Sequence, residues 1–197
     1  SLPMAEAYST FSLEEGAAAP EFSLPDATGR CFAFSEVAGK NGLLVIFACN
    51  HCPFVVHLAE ALAGFAEECA AQGVGVVAIN SNDVENYPQD APEAMLRFAG
   101  DFGWDFPYLY DETQEVAKAY AAACTPDFFL FTGDLRLHYA GQFDASRPKN
   151  ERVPVTGEDL RRALDGMLTG APPIAGAVPS SGCNIKWKPG NAPSYFG

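Results

Sequence analysis

The sequence predicts a single α/β domain: a mixed central sheet with helices on both faces, an N-terminal β-hairpin and an extended C-terminal tail. Three observations carry that reading. Two apolar runs of strand length, "LLVIFA" and "VGVVAIN", bracket a long segment of helical period. The triplet "TGD" separates two further apolar segments late in the chain, as an antiparallel hairpin requires. The 197 residues are 48% hydrophobic and 19% charged, which supplies one full core.

In chain order, residues 1–19 read as a loosely held lead-in. "EFSLPDATGRCFAF" reads as a hairpin, with Phe22 and Leu24 before a Pro-Asp-Ala-Thr-Gly turn and Phe32 and Phe34 after it. "LLVIFA" has the continuous apolar character of a central strand covered on both faces. Residues 53–72 read as a helix. Phe54, Leu58, Leu62, Phe65 and Cys69 recur at spacings of three and four to give one buried stripe, and Gly73 stops it.

"VGVVAIN" is the next buried strand, followed by the polar loop "SNDVENYPQD". "APEAMLRFAGDF" is a short helix with Pro92 in its first turn, where the missing N–H costs nothing. "FPYLY" reads as a strand and "TQEVAKAYAAA" as a helix opened by Thr113. "DFFLF" and "LRLHYAGQF" form the late hairpin. "TGEDLRRALDGML" closes the core as a helix capped by Thr156, with Glu158 and Asp159 in its first turn. A strand–helix–strand crossover is parallel and right-handed, whereas the late hairpin is antiparallel, so the sheet is mixed. This order of elements is the thioredoxin-like architecture. It occupies residues 20–169, and residues 170–197 form the tail.

Bulk properties narrow the function. A net charge of −13 serves solubility and weighs against nucleic-acid binding. No apolar run approaches the roughly 18 residues of a membrane helix, so no membrane partner is expected. The six cysteines, at 31, 49, 52, 69, 124 and 183, lie in a chain too long to need a disulfide framework. With no signal segment visible, a cytoplasmic location is the default expectation. In a reducing compartment a close pair of cysteines signals redox chemistry or metal binding.

That pair is Cys49 and Cys52 in "FACNHCPFV". If Pro53 is the first helical residue, Cys52 is the N-cap, and its sulfur faces free amides at the positive end of the helix dipole. Such placement lowers a cysteine pKa from about 8.5 to roughly 3.5–7.5, which makes Cys52 the expected nucleophile. A turn through Asn50 and His51 would bring the α-carbons of the pair within disulfide range, about 4.4–6.8 Å. Cys49 is then the nearest resolving partner.

The segments "APEFSLPDATG", "FACNHCPFV", "SNDVENYP", "CTPDFFLF", "GQFDASRP" and "GCNIKWKPGN" together resemble the thioredoxin-like superfamily, in particular its peroxiredoxin-like branch, the alkyl hydroperoxide reductase/thiol-specific antioxidant family. The resemblance covers most of the chain. It implies a redox-active thiol, and it implies that Pro126, preceded by Thr125, is a cis-proline beside that thiol. The chain also departs from the peroxiredoxin pattern. A proline seven residues before the reactive cysteine and a Thr or Ser three before it are replaced by Val45 and Cys49.

Other residues carry open alternatives. His51 is an acid–base group of the pair or an exposed loop histidine. His57 and His138 read as a surface and a structural residue. Arg147 either reaches the active edge or makes a surface salt bridge. Asn80 to Asp83 either face substrate or cap a turn. Cys124 is an additional redox thiol or a packed hydrophobe, and Cys31 and Cys69 read as core. The tail, with Ile174, Ile185, Trp187, Tyr195 and Phe196, is too apolar for disorder. It is expected to fold back with Trp187 as anchor and to bring Cys183 to the active edge as a further redox thiol; the alternative is a tail that packs elsewhere or against another subunit.

The expected function is a thiol-dependent oxidoreductase cycling a C-x-x-C dithiol and disulfide. Its substrate is a hydroperoxide or a disulfide, and its reductant is thioredoxin or a small thiol. No cofactor or resident metal is expected, and the oligomeric state is open. The competing class is a soft-metal protein, binding copper or zinc through Cys49, His51, Cys52, Cys124 and Cys183.

Overall fold

The structure, a computed structural model, describes residues 5–196. Ten strands and five helices follow in order: β1 (Glu6–Tyr8), β2 (Ser23–Pro25), β3 (Cys31–Ala33), α1 (Phe34–Val37), β4 (Gly42–Phe47), α2 (Pro53–Ala71), β5 (Val74–Asn80), α3 (Pro92–Phe102), β6 (Tyr108–Tyr110), α4 (Glu115–Tyr120), β7 (Cys124–Thr125), β8 (Asp127–Thr132), β9 (Leu137–Gly141), α5 (Glu158–Leu168) and β10 (Ser181–Asn184). This is the thioredoxin-like α/β fold.

The central sheet is mixed, as the order of elements predicts. β4 pairs antiparallel with β8, and β8 with β9. β5 lies beside β4 and pairs in parallel with β6. All six residues of β4 are buried, and alternation divides them between two cores. Leu44 and Ile46 pack with α2, α3 and α5, while Leu43, Val45 and Phe47 pack with α1 and α4. A strand between two helical layers has no solvent face, which is why its sequence shows no polar alternation.

Several boundaries differ from the sequence reading. The hairpin forms, but Phe34 leaves it to open α1, where the Glu36 carboxylate accepts the Ala33 N–H at 2.9 Å. Cys31, expected in the core, is exposed, because it stands opposite Pro25 at the free end of this two-stranded ribbon. Cys69 is buried on α2 as expected. Thr113 does not cap α4. Gln114 is the N-cap, with φ +67°, and the Asp111 carboxylate takes the Val116 and Ala117 N–H groups instead. Thr156 likewise gives way to Gly157, whose φ of +69° suits glycine, as N-cap of α5. The Thr156 and Gly157 amides both donate to Asp144 Oδ2 at 2.8 Å. In both cases the threonine hydroxyl still accepts one N–H, from Glu115 or Glu158, while a buried aspartate upstream in the chain takes further amides at the helix start.

The lead-in is held more firmly than expected. β1 pairs antiparallel with β10, and β10 pairs antiparallel with β7, so the two ends of the chain close together over the Thr125–Pro126 segment. Ser9 Oγ donates to Asp127 Oδ1 at 2.8 Å, and Ser180 Oγ donates to the Pro126 carbonyl at 2.6 Å. Ile185 is buried in the same core as Phe47, and Trp187 packs against it as the tail's anchor.

Candidate active site

Cys52 is the N-cap of α2, and Pro53 is the first helical residue. The strand β4 ends at Phe47, so five residues connect the buried sheet to the helix and fix the sulfur at the junction. Cys52 is fully buried, and its Sγ lies 2.7 Å from Cys183 Sγ and 3.2 Å from the Thr125 carbonyl oxygen. Burial alone raises the pKa of this thiol, but the donors around the sulfur reverse the effect. The nearby Cys183 thiol, then the Cys49 thiol, the Thr125 side chain and the Val55 N–H outweigh it and hold the group far below an ordinary cysteine. The Thr125 carbonyl is the one contact that favours the protonated form.

Cys49 has the opposite surroundings. It is buried, and desolvation, the thiolate of Cys52 and the carboxylate of Asp90 together push its pKa well up. Its Sγ sits 3.5 Å from Thr125 Oγ1. Cys183 is also pushed up, chiefly by its bond to the Cys52 thiolate and by burial, while Lys186 and the Phe54 N–H act in the favourable direction. Of the three sulfurs, Cys52 is the one whose surroundings favour the thiolate.

The connection from Asn50 to Cys52 hangs on a residue the sequence reading passed over. Asp90 is fully buried. Its Oδ1 accepts the Asn50 N–H at 2.8 Å, and its Oδ2 lies 2.6 Å from His51 Nδ1 and accepts Asn82 Nδ2 at 3.0 Å. Tyr108 Oη donates to Asn50 Oδ1 at 2.8 Å. The only sequence signal for Asp90 is an acidic residue closing the loop after β5, an edge where open α/β sheets place functional groups. His51 is therefore a tethered, part-buried histidine that stacks on Tyr87.

The structure brings Thr125, Pro126, Cys49, Cys52 and Cys183 together. The Thr125–Pro126 peptide is cis. Cys124 is turned away: its sulfur is 3.6 Å from the Pro126 carbonyl and 3.8 Å from that of Ser180, and burial and Asp127 push its pKa up. Arg147 does not reach the sulfurs. Its guanidinium donates to the carbonyls of Asp144 and Ser146 and to Gln142 Oε1, although it lines a small cleft with Phe54, His57, Pro126 and Ser181. His57 is half-buried rather than a free surface residue, with Nε2 3.0 Å from Ser146 Oγ. His138 is buried. Asn80 to Asp83 form a capped, buried turn: Ser81 Oγ donates to Asp111 Oδ2 at 2.6 Å, and the Lys186 N–H donates to Asn82 Oδ1 at 2.9 Å. Among the described residues no helix is long and apolar enough to cross a membrane.

The Redoxin family model matches residues 14–156. The chain belongs to the Redoxin family. Thiol-disulfide oxidoreductase ResA of Bacillus subtilis (strain 168) is 29% identical over 119 residues, 60% of this chain and 62% of ResA; the chain thus spans about three fifths of that relative's length. The crystal structure of an uncharacterized conserved protein from Geobacillus kaustophilus superimposes with a TM-score of 0.90 at 49% identity, covering 95% of this chain and 99% of that one. Peroxidoxin BcpB from Mycobacterium tuberculosis shares the fold at a TM-score of 0.58 and 19% identity, over 80% of this chain and 97% of that one.

Proposed function

We propose that this Redoxin-family chain is a thiol–disulfide oxidoreductase with Cys52 as its nucleophile. The observation that carries the reading is the Cys52 sulfur at the start of α2, 2.7 Å from the Cys183 sulfur and held well below the usual thiol range by its neighbours. A sulfur so placed is a thiolate at neutral pH and attacks a substrate sulfur, forming a mixed disulfide and expelling a second thiolate. A second thiol then displaces the substrate, and an external thiol, thioredoxin or a small thiol, restores the dithiol. The likeness to ResA, a thiol-disulfide oxidoreductase, supports a disulfide as the electrophile.

Hydroperoxide is the weaker choice of substrate. The position three before Cys52 is Cys49 rather than Thr or Ser, and Arg147 spends its guanidinium on carbonyls and Gln142. Parallel assays with a small disulfide and with a hydroperoxide test the choice. Wild type is expected to reduce the disulfide, and Cys52→Ser to lose all turnover. Faster turnover of hydroperoxide by wild type would reverse the assignment of substrate, and an active Cys52→Ser would reverse that of the nucleophile.

A second reading has one observation behind it. Cys49 Sγ, His51 Nδ1 and an Asp90 carboxylate oxygen lie within 4.8 Å of one another, a donor set that suits zinc better than copper(I). Cys52, Cys124 and Cys183 are not part of that set. Metal analysis of protein purified under reducing conditions tests it. Stoichiometric zinc that is lost in Cys49→Ser would establish the metal reading, and metal-free wild type would end it.

A further inference from the structure

The C-x-x-C spacing nominates Cys49 as the partner of Cys52, but a sulfur 131 positions away along the chain lies directly against it. We propose that Cys183 is the resolving cysteine, and that the oxidised form of the site is a Cys52–Cys183 disulfide joining the start of α2 to β10. The proposal rests on the oxidoreductase reading of Cys52 given above.

The placement of Cys183 is built into the fold. β10 lies between β1 and β7, with Cys183 opposite Glu6 on one side and opposite Thr125 on the other. Ser180 Oγ bonded to the Pro126 carbonyl pins the strand on one side, and buried Ile185 pins it on the other. Gly182 permits the approach, since a Cβ there would lie 2.0 Å from the Thr125 carbonyl oxygen. The residues one helical turn beyond Cys52 are Val55 and Val56, so the first turn of α2 supplies no second thiol. The tail supplies it.

Chemistry separates the two candidates. In the reduced site, the Cys52 thiolate is the largest cause that keeps the Cys183 thiol protonated, with burial second and unchanged by the reaction. Once Cys52 is bonded to substrate sulfur that charge is gone, leaving Cys183 facing the Phe54 N–H with Lys186 nearby. Cys49 gains less from the same event, because burial and Asp90 still oppose its ionisation. The electrons balance in two displacements. The Cys52 thiolate attacks a disulfide RSSR′, the S–S bond breaks, and R′S⁻ leaves and takes a proton from solvent. Cys183 gives its proton to solvent, its sulfur bonds to Cys52, and RS⁻ leaves and is protonated in turn. Two substrate sulfurs are reduced, and Cys52 and Cys183 are oxidised by the same two electrons.

The test is non-reducing peptide mapping after treatment with one equivalent of dithiodipyridine, on wild type, Cys49→Ser, Cys183→Ser and Cys183→Ala. The expected product in wild type and Cys49→Ser is a Cys52–Cys183 disulfide. Both Cys183 variants should retain the pyridyl group on Cys52, with release of the second thiopyridone slowed by about 100-fold or more, as expected when a pre-positioned thiol is removed. A Cys49–Cys52 disulfide in wild type, or a persistent mixed disulfide there, would overturn the proposal while leaving the nucleophile intact. Failure of Cys52 to take the pyridyl group in any protein would remove the oxidoreductase reading itself. The wild-type map decides the partner even if the Cys183 variants fold poorly.

Discussion

The loop that carries Cys49 and the strand that carries Cys183 both deliver a thiol to Cys52, and they do so in electrostatically opposite ways. The loop is tied down by a carboxylate: Asp90 accepts from Asn50 and Asn82 and holds His51, so the fixture that shapes the loop also opposes a second negative charge on Cys49. The strand is tied down by neutral backbone pairing to β1 and β7, and it sets its sulfur against the Phe54 amide of α2, with Lys186 nearby. A rigid support and an electrostatically suitable one are separate requirements. Proximity in sequence meets the first for Cys49, and only the tail meets both.

The largest effect should come from moving the tail without touching a sulfur. Gly182→Ala drives a methyl group into the Thr125 carbonyl oxygen, a backbone atom that has no rotamer by which to yield. The strand must lift from β7. The expected cost is about 3–4 kcal/mol of stability, in the range of severe overpacking. Cys52, fully buried in the wild type, should then be alkylated at least about tenfold faster, which corresponds to roughly 1.4 kcal/mol of easier opening. Its disulfide with Cys183 should form slowly or not at all. Normal disulfide formation in this variant would show that β10 does not need its seat on β7 to reach Cys52.

An effect of at most comparable size comes from the group beneath that strand. Asp127 is fully buried, and burial raises its carboxyl to about 7 against the bonds from Ser9, Ala123 and Phe128. An unfolded aspartate titrates near 3.9. The folded chain therefore holds a proton between about pH 4 and 7 that the unfolded chain has lost, and stability falls as pH rises through that window. The fall is bounded by roughly 4 kcal/mol for a shift of about three units. Because Ser9 also receives the Ser180 N–H at 2.9 Å, the segment leading into β10 feels the charge first. Urea denaturation between pH 4.5 and 7.5 should show a declining midpoint in wild type and a flatter profile in Asp127→Asn. Parallel profiles would mean that Asp127 titrates alike in both states.

The two regions were unequally legible in the sequence. The fold could be read because β4 and β5 are apolar and buried almost throughout, and the α2 stripe from Leu58 to Cys69 is buried as its spacing implies, with Phe54 only partly covered. Cys52 could be read because Pro53 marks the helix start, and the N-cap position carries its own chemistry. The tail could be read as docked, from its large apolar residues. Its strand pairing could not, because "SGCN" has no strand period and gains its partners only when both chain ends meet at Thr125. Asp90 was invisible for a similar reason: its partners Asn50 and His51 come from another loop, and Asn82 from the opposite end of its own. The caps at Thr113 and Thr156 misled because the aspartates Asp111 and Asp144, upstream of them, share the amides at the helix start.

The smallest expected effect gives the finest test of the contrast between loop and strand. Asp90→Asn preserves the shape of the side chain and removes its charge. Either orientation of the amide brings its NH₂ group against a donor, the Asn50 N–H on one side or Asn82 Nδ2 on the other. One bond is lost, for about 1–2 kcal/mol. The same change relieves Cys49 of the nearby carboxylate that raises its pKa, although burial, the larger cause, stays in place. Cys49 should therefore ionise more readily than in wild type and still lag behind Cys183. Peptide mapping after the same one-equivalent oxidation should show a minor Cys49–Cys52 product beside the dominant Cys52–Cys183 disulfide. If Cys49–Cys52 became dominant in Asp90→Asn, the carboxylate alone would be what excludes Cys49. If it were absent, burial and the direction of the Cys49 thiol would suffice to exclude it.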